Sequence, residues 1–303
     1  RLRRPEPEAP TTPEPTSWSL PWRRPKSISP FDHGTGPTSW PSGWLDQLTD
    51  IEESSPWRHG TALYTATLKK RLGWAKAGTD VLVQEVELHS AEHAELLKQE
   101  LALMRRLSGK DFVIPLKEAA PDGFVEGARV AIMTERPLGT LEAVGPKLWI
   151  GDRFRLLLHL MRQLRVLHSR GIIHRSIMRD KLFVFVIPPD RHACHYRLKI
   201  GGFSEAIEKQ GEFLGHQEDA KAAGLVMVET IYGKIGKIQR EALTPEDYLD
   251  LPSALGLFIG SRNGFVKWFW DVVDGLIHPD PYERMDAGEA LKQMEVLARN
   301  MAW

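Results

Sequence analysis

The spacing of apolar residues changes at Pro137, and that change limits what the chain can fold into more than any other feature does. Before it, apolar residues come in short strand-like runs: Ala62 to Leu68, Val81 to Val86, Val113 to Leu116 and Ala128 to Met133. One segment breaks this series. From Ala91 to Leu107, the residues Leu96, Leu97, Leu101, Leu103, Met104 and Leu107 recur with helical period. After Pro137, Phe154, Leu157, Leu158, Met161, Leu164 and Leu167 form an amphipathic stripe, and Leu225, Val228 and Ile231 begin another. Phe265 to Ile277 and Ala287 to Leu297 supply two more helices. Strand, strand, helix, strand, strand and then helices predicts an α+β fold, with a small β-rich part ahead of a larger helical one.

Residues 1 to 56 form a separate regime. Prolines recur from Pro5 to Pro56, which rules out a segment that is mostly helix or central strand. Trp18, Trp22, Trp40, Trp44 and Trp57 accompany them, and large aromatics are poor company for a free tail. The expectation is an extension whose first part is loose and whose remainder packs on the domain of residues 57–303. Thr16 to Trp22 and Thr38 to Trp44 each place two tryptophans at the same spacing, either by chance or as a weak repeat.

Charge and cysteine content exclude several function classes. Lys plus Arg equal Asp plus Glu at 40 each, so no net field draws the whole chain to nucleic acid or an anionic membrane, and any such partner must meet a local patch. Cys194 is the sole cysteine, which removes intrachain disulfides and Cys-rich metal sites. His192, Cys194 and His195 read as a solvated hairpin tip rather than a zinc site, and the run from Lys234 to Asp250 as a solvated face. No apolar run reaches the roughly 20 residues a membrane helix needs. The chain starts at Arg1 rather than Met, so a trimmed N-terminus is expected.

Four stretches then stand in a telling order. Leu167-His-Ser-Arg-Gly-Ile-Ile-His174-Arg175-Ser176-Ile-Met-Arg-Asp-Lys181-Leu-Phe-Val resembles the protein-kinase catalytic loop, a helix ending in L-H-x-x-G-[IV]-[IV]-H-R-D-[LI]-x-x-x-N before an apolar strand. Leu198-Lys-Ile-Gly-Gly202-Phe203-Ser204 resembles the strand entering D-F-G. Asp219-Ala-Lys-Ala-Ala-Gly224 resembles the D-x-W-x-x-G start of the central helix of that family's large lobe. His278-Pro-Asp-Pro-Tyr-Glu-Arg284-Met-Asp-Ala287-Gly-Glu-Ala-Leu291 resembles its D-P-x-x-R-x-[TS]-A-x-E-[AV]-L segment. The resemblance covers about residues 58 to 298 and implies a two-lobed protein-kinase-like fold, with a β-rich N-lobe over 57–136 and a helical C-lobe over 137–303.

Departures from that pattern carry the functional expectation. The H-R-D aspartate, which accepts the substrate hydroxyl proton, is matched by Ser176. The magnesium-holding asparagine is matched by Lys181 and the D-F-G aspartate by Gly202. Sliding the alignment restores neither, because no asparagine precedes Asn263 and no acidic residue lies between Asp190 and Glu205. Asp180 is the one nearby carboxylate, read either as a substitute base or as a solvated charge. The phosphate-gripping lysine best matches Gln84, and Leu82 stands where the family has a small alanine over the adenine ring. The helix glutamate resembles Glu100, read equally as a vestigial pocket residue without a cationic mate or as an exposed charge near Lys98. With Met133, these residues make up a vestigial pocket.

No G-x-G-x-x-G covers it, Gly60 being the sole glycine in the stretch from Trp57 that leads into the Leu63 strand, and only 14 residues separate Ser204 from Asp219, with no A-P-E among them. Arg284 therefore needs a new partner, for which Glu205, Glu208 or Glu212 are candidates. His174, Phe203, Asp219 and Arg284 remain as structural supports, with Met104 behind them. The resemblance thus implies a pseudokinase that binds a protein partner, another kinase or a structural assembly, without cofactor, metal or nucleic acid. The other readings are an active kinase with relocated residues and a nucleotide sensor that needs no metal. In its degenerate glycine loop, short activation segment and N-terminal wrap, the chain looks like the secreted rhoptry-type and bradyzoite pseudokinases of apicomplexan parasites. That implies passage through the secretory pathway to a vacuole or cyst wall.

Overall fold

The computed structural model describes residues 40, 42–57, 61–72, 75–107, 114, 116–120, 123–187, 196–209, 211, 213–232 and 263–300. The fold is mixed α+β. Five strands, β1 (Leu48–Trp57), β2 (Thr61–Leu68), β3 (Asp80–Glu87), β4 (Leu116–Ala119) and β5 (Arg129–Glu135), form an antiparallel sheet in the order β1-β2-β3-β5-β4. A short helix α1 (Ser42–Leu45) precedes it, and α2 (Ala91–Leu107) lies between β3 and β4 in the chain. β1 lies inside the segment assigned by composition to the extension, so the sheet begins at Leu48 rather than after Pro56. It is an edge strand with a register shift between Ser54 and Trp57, both places where a sheet tolerates a proline such as Pro56.

The two faces of β3 are buried differently. Val81 and Val83 join Trp40, Trp44, Leu48, Tyr64, Ala66, Leu68, Ala131 and Met133 in one apolar cluster, where Trp40 meets Trp44 and Tyr64 edge to face. Val86 joins the main core together with Leu97, Leu101 and Met104 of α2. With six side chains of α2 buried, that helix is held by its apolar stripe rather than by propensity alone.

Past Glu135 come β6 (Gly139–Thr140), α3 (Leu141–Val144), α4 (Ile150–His168), β7 (Ile172–Ile173), β8 (Leu182–Val186), β9 (Tyr196–Ile200) and β10 (Ile207–Glu208). Helices α5 (Phe213–Tyr232), α6 (Asn263–Ile277) and α7 (Ala287–Asn300) follow. β8 pairs with both β6 and β9, and β10 pairs with β7. Phe154, Leu157, Met161, Leu164 and Leu167 of α4 are all fully buried, and the helix packs against α5, α7 and β9. Sequence periodicity has Leu225 opening the stripe of α5, whereas that helix starts at Phe213. Its first half packs through small residues such as Ala220 and Ala223, and a Cβ on Gly224 would stand 2.7 Å from Ile277 of α6, so close approach replaces a large apolar stripe.

Candidate functional site

Three turns and one helix bring the motif residues together. Asp219, in the second turn of α5, is 1% exposed. Its Oδ2 accepts the His174 backbone N–H at 2.7 Å and its Oδ1 accepts that of Arg175 at 2.8 Å. His168 Nε2 lies 3.1 Å from Oδ2. Charge-assisted bonds of this kind are among the stronger ones in proteins, and here they hold Arg175 at φ 63°, a left-handed conformation that a side chain disfavours.

His174 is fully buried against Phe203, with ring centroids 4.7 Å apart. The Ser176 N–H donates to His174 Nδ1 at 3.3 Å, so the ring proton sits on Nε2 and points to the Gly201 carbonyl at 3.2 Å. Burial pushes the His174 pKa down to about 4. The Asp219 charge and the Gly201 carbonyl oppose this, while Lys181 and His168 add to it. The imidazole is neutral at pH 7, with both nitrogens engaged.

Gly202 follows at φ 74°, in the left-handed region that favours glycine. A Cβ built there would stand 2.5 Å from Lys181 Cδ, so the lysine stem covers the glycine. The Phe203 N–H donates to Glu100 Oε1 at 2.7 Å and ties α2 to this segment. Burial raises the Glu100 pKa, against the pull of the Phe203 N–H and of the Lys181 charge. Glu100 therefore lies in the field of Lys181, while Lys98 pairs with Glu95, so the reading of Glu100 as an exposed charge near Lys98 is corrected. Ser176 is buried, and the nearby ring nitrogen already accepts its backbone N–H. Asp180 is exposed on the turn. Among the described residues, no group of three or more His, Cys, Asp or Glu side chains could hold a metal ion.

Two sequence assignments are corrected by the packing. Met133 pairs with Val83 and sits in the Trp40 and Trp44 cluster, on the opposite face of the sheet from Leu82 and Gln84. Ile132 and Thr134, opposite Gln84 and Leu82 in the ladder, share their face instead, because side chains alternate along a strand. Arg284 pairs with Glu218 at 2.8 Å and donates to the Gln217 and His278 carbonyls. Of the expected carboxylates, Glu208 pairs with Arg106 and Glu205 is exposed, while Glu212 lies outside the described residues.

Sequence reasoning missed the buried pair Arg179 and Glu229, at 3.2 Å, which joins the turn before Lys181 to α5. It also missed Lys199, 2.7 Å from Glu135. Motif spacing carries no signal for either pair, since each spans at least 50 residues of chain. Trp18, Trp22, Gly60, the cluster at His192, Cys194 and His195, and the run from Lys234 to Asp250 lie outside the described residues. No protein-family model matches the chain, and no curated protein matches it at a significant level.

Proposed function

We propose that this chain is a catalytically inactive pseudokinase with a two-lobed kinase-like fold, working by binding and scaffolding rather than by phosphate transfer. The supporting observation is the Lys181 stem laid over Gly202 beside Glu100. At the two positions that hold magnesium in active kinases, one side chain is a cation and the other is absent, and the cation's stem fills the vacated volume. Ser176 stands at the position of the base. Leu82, half-buried on the face of Gln84, narrows the space where adenine would lie. On this reading the Glu100 bond to Phe203 fixes α2 without nucleotide, leaving a rigid body suited to holding a protein partner, such as another kinase or a structural assembly. The resemblance to rhoptry-type and bradyzoite pseudokinases extends the proposal to a secreted parasite protein.

Incubation of the pure chain with radiolabelled ATP, alone and with protein substrates, tests the reading. No incorporation is expected above that of an Asp180→Ala variant. Incorporation abolished by Asp180→Ala would establish a relocated catalytic carboxylate, and a melting temperature raised by Mg-ATP but not by ATP would establish a working metal site.

A further inference from the structure

The β-sheet carries a second feature that the proposed scaffold role does not use. From Lys69 to Thr79 the connection between β2 and β3 contains Lys69, Lys70, Arg71 and Lys76 and no acidic residue. Hydrogen bonds fix its described residues, 69–72 and 75–79, on either side. The Leu68 N–H donates to the Thr79 carbonyl at 3.0 Å and the Gly78 N–H to the Leu68 carbonyl at 2.8 Å, while Leu72 and Ala75 exchange bonds of 2.9 and 3.2 Å. A further bond, from the Lys69 N–H to the Gln47 carbonyl at 2.8 Å, fastens it to the turn before β1. Leu72 and Ala75 pack against the Trp40 and Trp44 cluster, while all four cations are exposed.

Strand register extends the patch. Thr67 pairs with Asp80 and Val81 with Glu135, and the Arg136 N–H donates to the Asp80 carbonyl, so exposed Arg136 stands at the same end of the sheet. Lys117, at the start of β4, is there too, bonded to the Gln47 amide oxygen and lying 5.7 Å over the Trp44 ring, both neutral partners. Facing these cations are Asp46, Asp80, which accepts from Thr67, and Glu135, which is taken by Lys199. Elsewhere several surface cations are matched, Arg106 with Glu208, Arg129 with Glu87 and Arg162 with Glu295. None of Lys69, Lys70, Arg71 and Lys76 forms an ion pair among the described residues. In a chain of zero net charge this is a fixed local field.

We propose that this end of the sheet docks on an anionic phospholipid bilayer. Clustered exposed cations with no ion pair among the described residues are attracted to the negative surface of such a bilayer within a Debye length. Single-stranded nucleic acid is bound by stacking bases on exposed aromatics, and the described aromatics at this end, Trp40, Trp44 and Tyr64, are buried. No helix among the described residues is long and apolar enough to cross a membrane, so this contact is peripheral.

Co-sedimentation of the full chain with vesicles of phosphatidylcholine alone, and with added phosphatidylserine, tests the proposal. Binding is expected to the anionic vesicles only, falling steeply with salt, with a loss on the order of fivefold per cation removed. A Lys69→Ala, Lys70→Ala, Arg71→Ala, Lys76→Ala variant should lose nearly all of it. A Lys147→Ala, Arg165→Ala, Arg170→Ala, Lys292→Ala variant, with the same net charge, should keep it. Unchanged circular dichroism verifies that both sets fold. Absence of anionic-vesicle binding by the parent chain, equal loss in the two variants, or tighter retention on RNA or duplex DNA than on vesicles would each overturn the proposal.

Discussion

Replacing Asp219 by alanine perturbs the site at its most heavily bonded group. The carboxylate accepts two backbone N–H groups, at 2.7 and 2.8 Å, and faces His168 at 3.1 Å, in surroundings that leave it 1% exposed. A buried donor left unmet costs about 1–3 kcal/mol. The His174 N–H is buried and belongs at the upper part of that range, while the Arg175 N–H, nearer the surface, belongs at the lower part. Adding the lost His168 contact gives about 3–5 kcal/mol for Asp219→Ala. Asp219→Asn keeps one oxygen but turns an amide donor toward the other N–H, so it retains roughly half of that stability. At about 2–4 °C per kcal/mol for a chain of this size, the alanine variant should melt about 6–20 °C below the parent. Thermal unfolding at pH 7, followed by circular dichroism, reads the effect, and hydrogen exchange at residues 174 and 175 localises it. An Asp219→Ala protein that melts within about 2 °C of the parent, with those amides still protected, would refute the assignment of Asp219 as the latch of this turn.

Two further predictions concern protonation. The Glu100 pKa is raised, so its favourable contribution is present at low pH and lost as pH rises through the raised value. Glu100→Gln, which keeps an acceptor for Phe203, should therefore match or exceed the parent in urea at pH 7, while Glu100→Ala loses about 1–3 kcal/mol, and equal damage from both would contradict this. His159 and His174 have pKa values lowered by burial to about 4, so each contributes stability above the usual imidazole pKa that is lost as pH falls from about 6.5 toward 4. That loss comes to about 2 kcal/mol per histidine between pH 7 and pH 5. His159 Nδ1 is buried without a hydrogen-bond partner among the described residues, so His159→Leu should shrink the acid loss by that amount, as urea titrations at the two pH values would measure.

How far the sequence could be read depended on whether a signal was local. The expected helix over Ala91–Leu107 matches α2 in extent, and the runs at Ala62 and Val81 lie inside β2 and β3, because periodicity needs only near neighbours. β1 was not legible. Its register shifts twice, Asp50 sits at φ 52°, and Glu52 to Ser55 supply no apolar alternation, so the strand exists through pairing with β2 rather than through its own pattern. Motif spacing named His174, Ser176, Gly202, Phe203 and Asp219, and the turns that carry them meet. Facts that depend on the register of distant segments stayed hidden: which face Met133 takes, which carboxylate reaches Arg284, and the meeting of Arg179 with Glu229.

The relation between Lys181 and Gly202 adds one more step to the proposed reading. Taken singly, a missing ligand and an added cation look like independent losses. In space they are one change: the lysine stem needs the volume that a side chain at position 202 would fill, and its charge lies in the same region as the Glu100 carboxylate. Restoring an aspartate at Gly202 alone would force the stem aside at φ 74° and set the new carboxylate against the lysine, giving an ion pair rather than a metal ligand. Restoring an asparagine at Lys181 alone would open the volume but supply no carboxylate and would remove the Lys181 charge from the Glu100 carboxylate. Neither single reversion rebuilds a divalent-cation site, and Ser176 would still lack basicity after both. On this reading a return to catalysis requires at least three simultaneous changes, at Ser176, Lys181 and Gly202, each of which alone gains nothing.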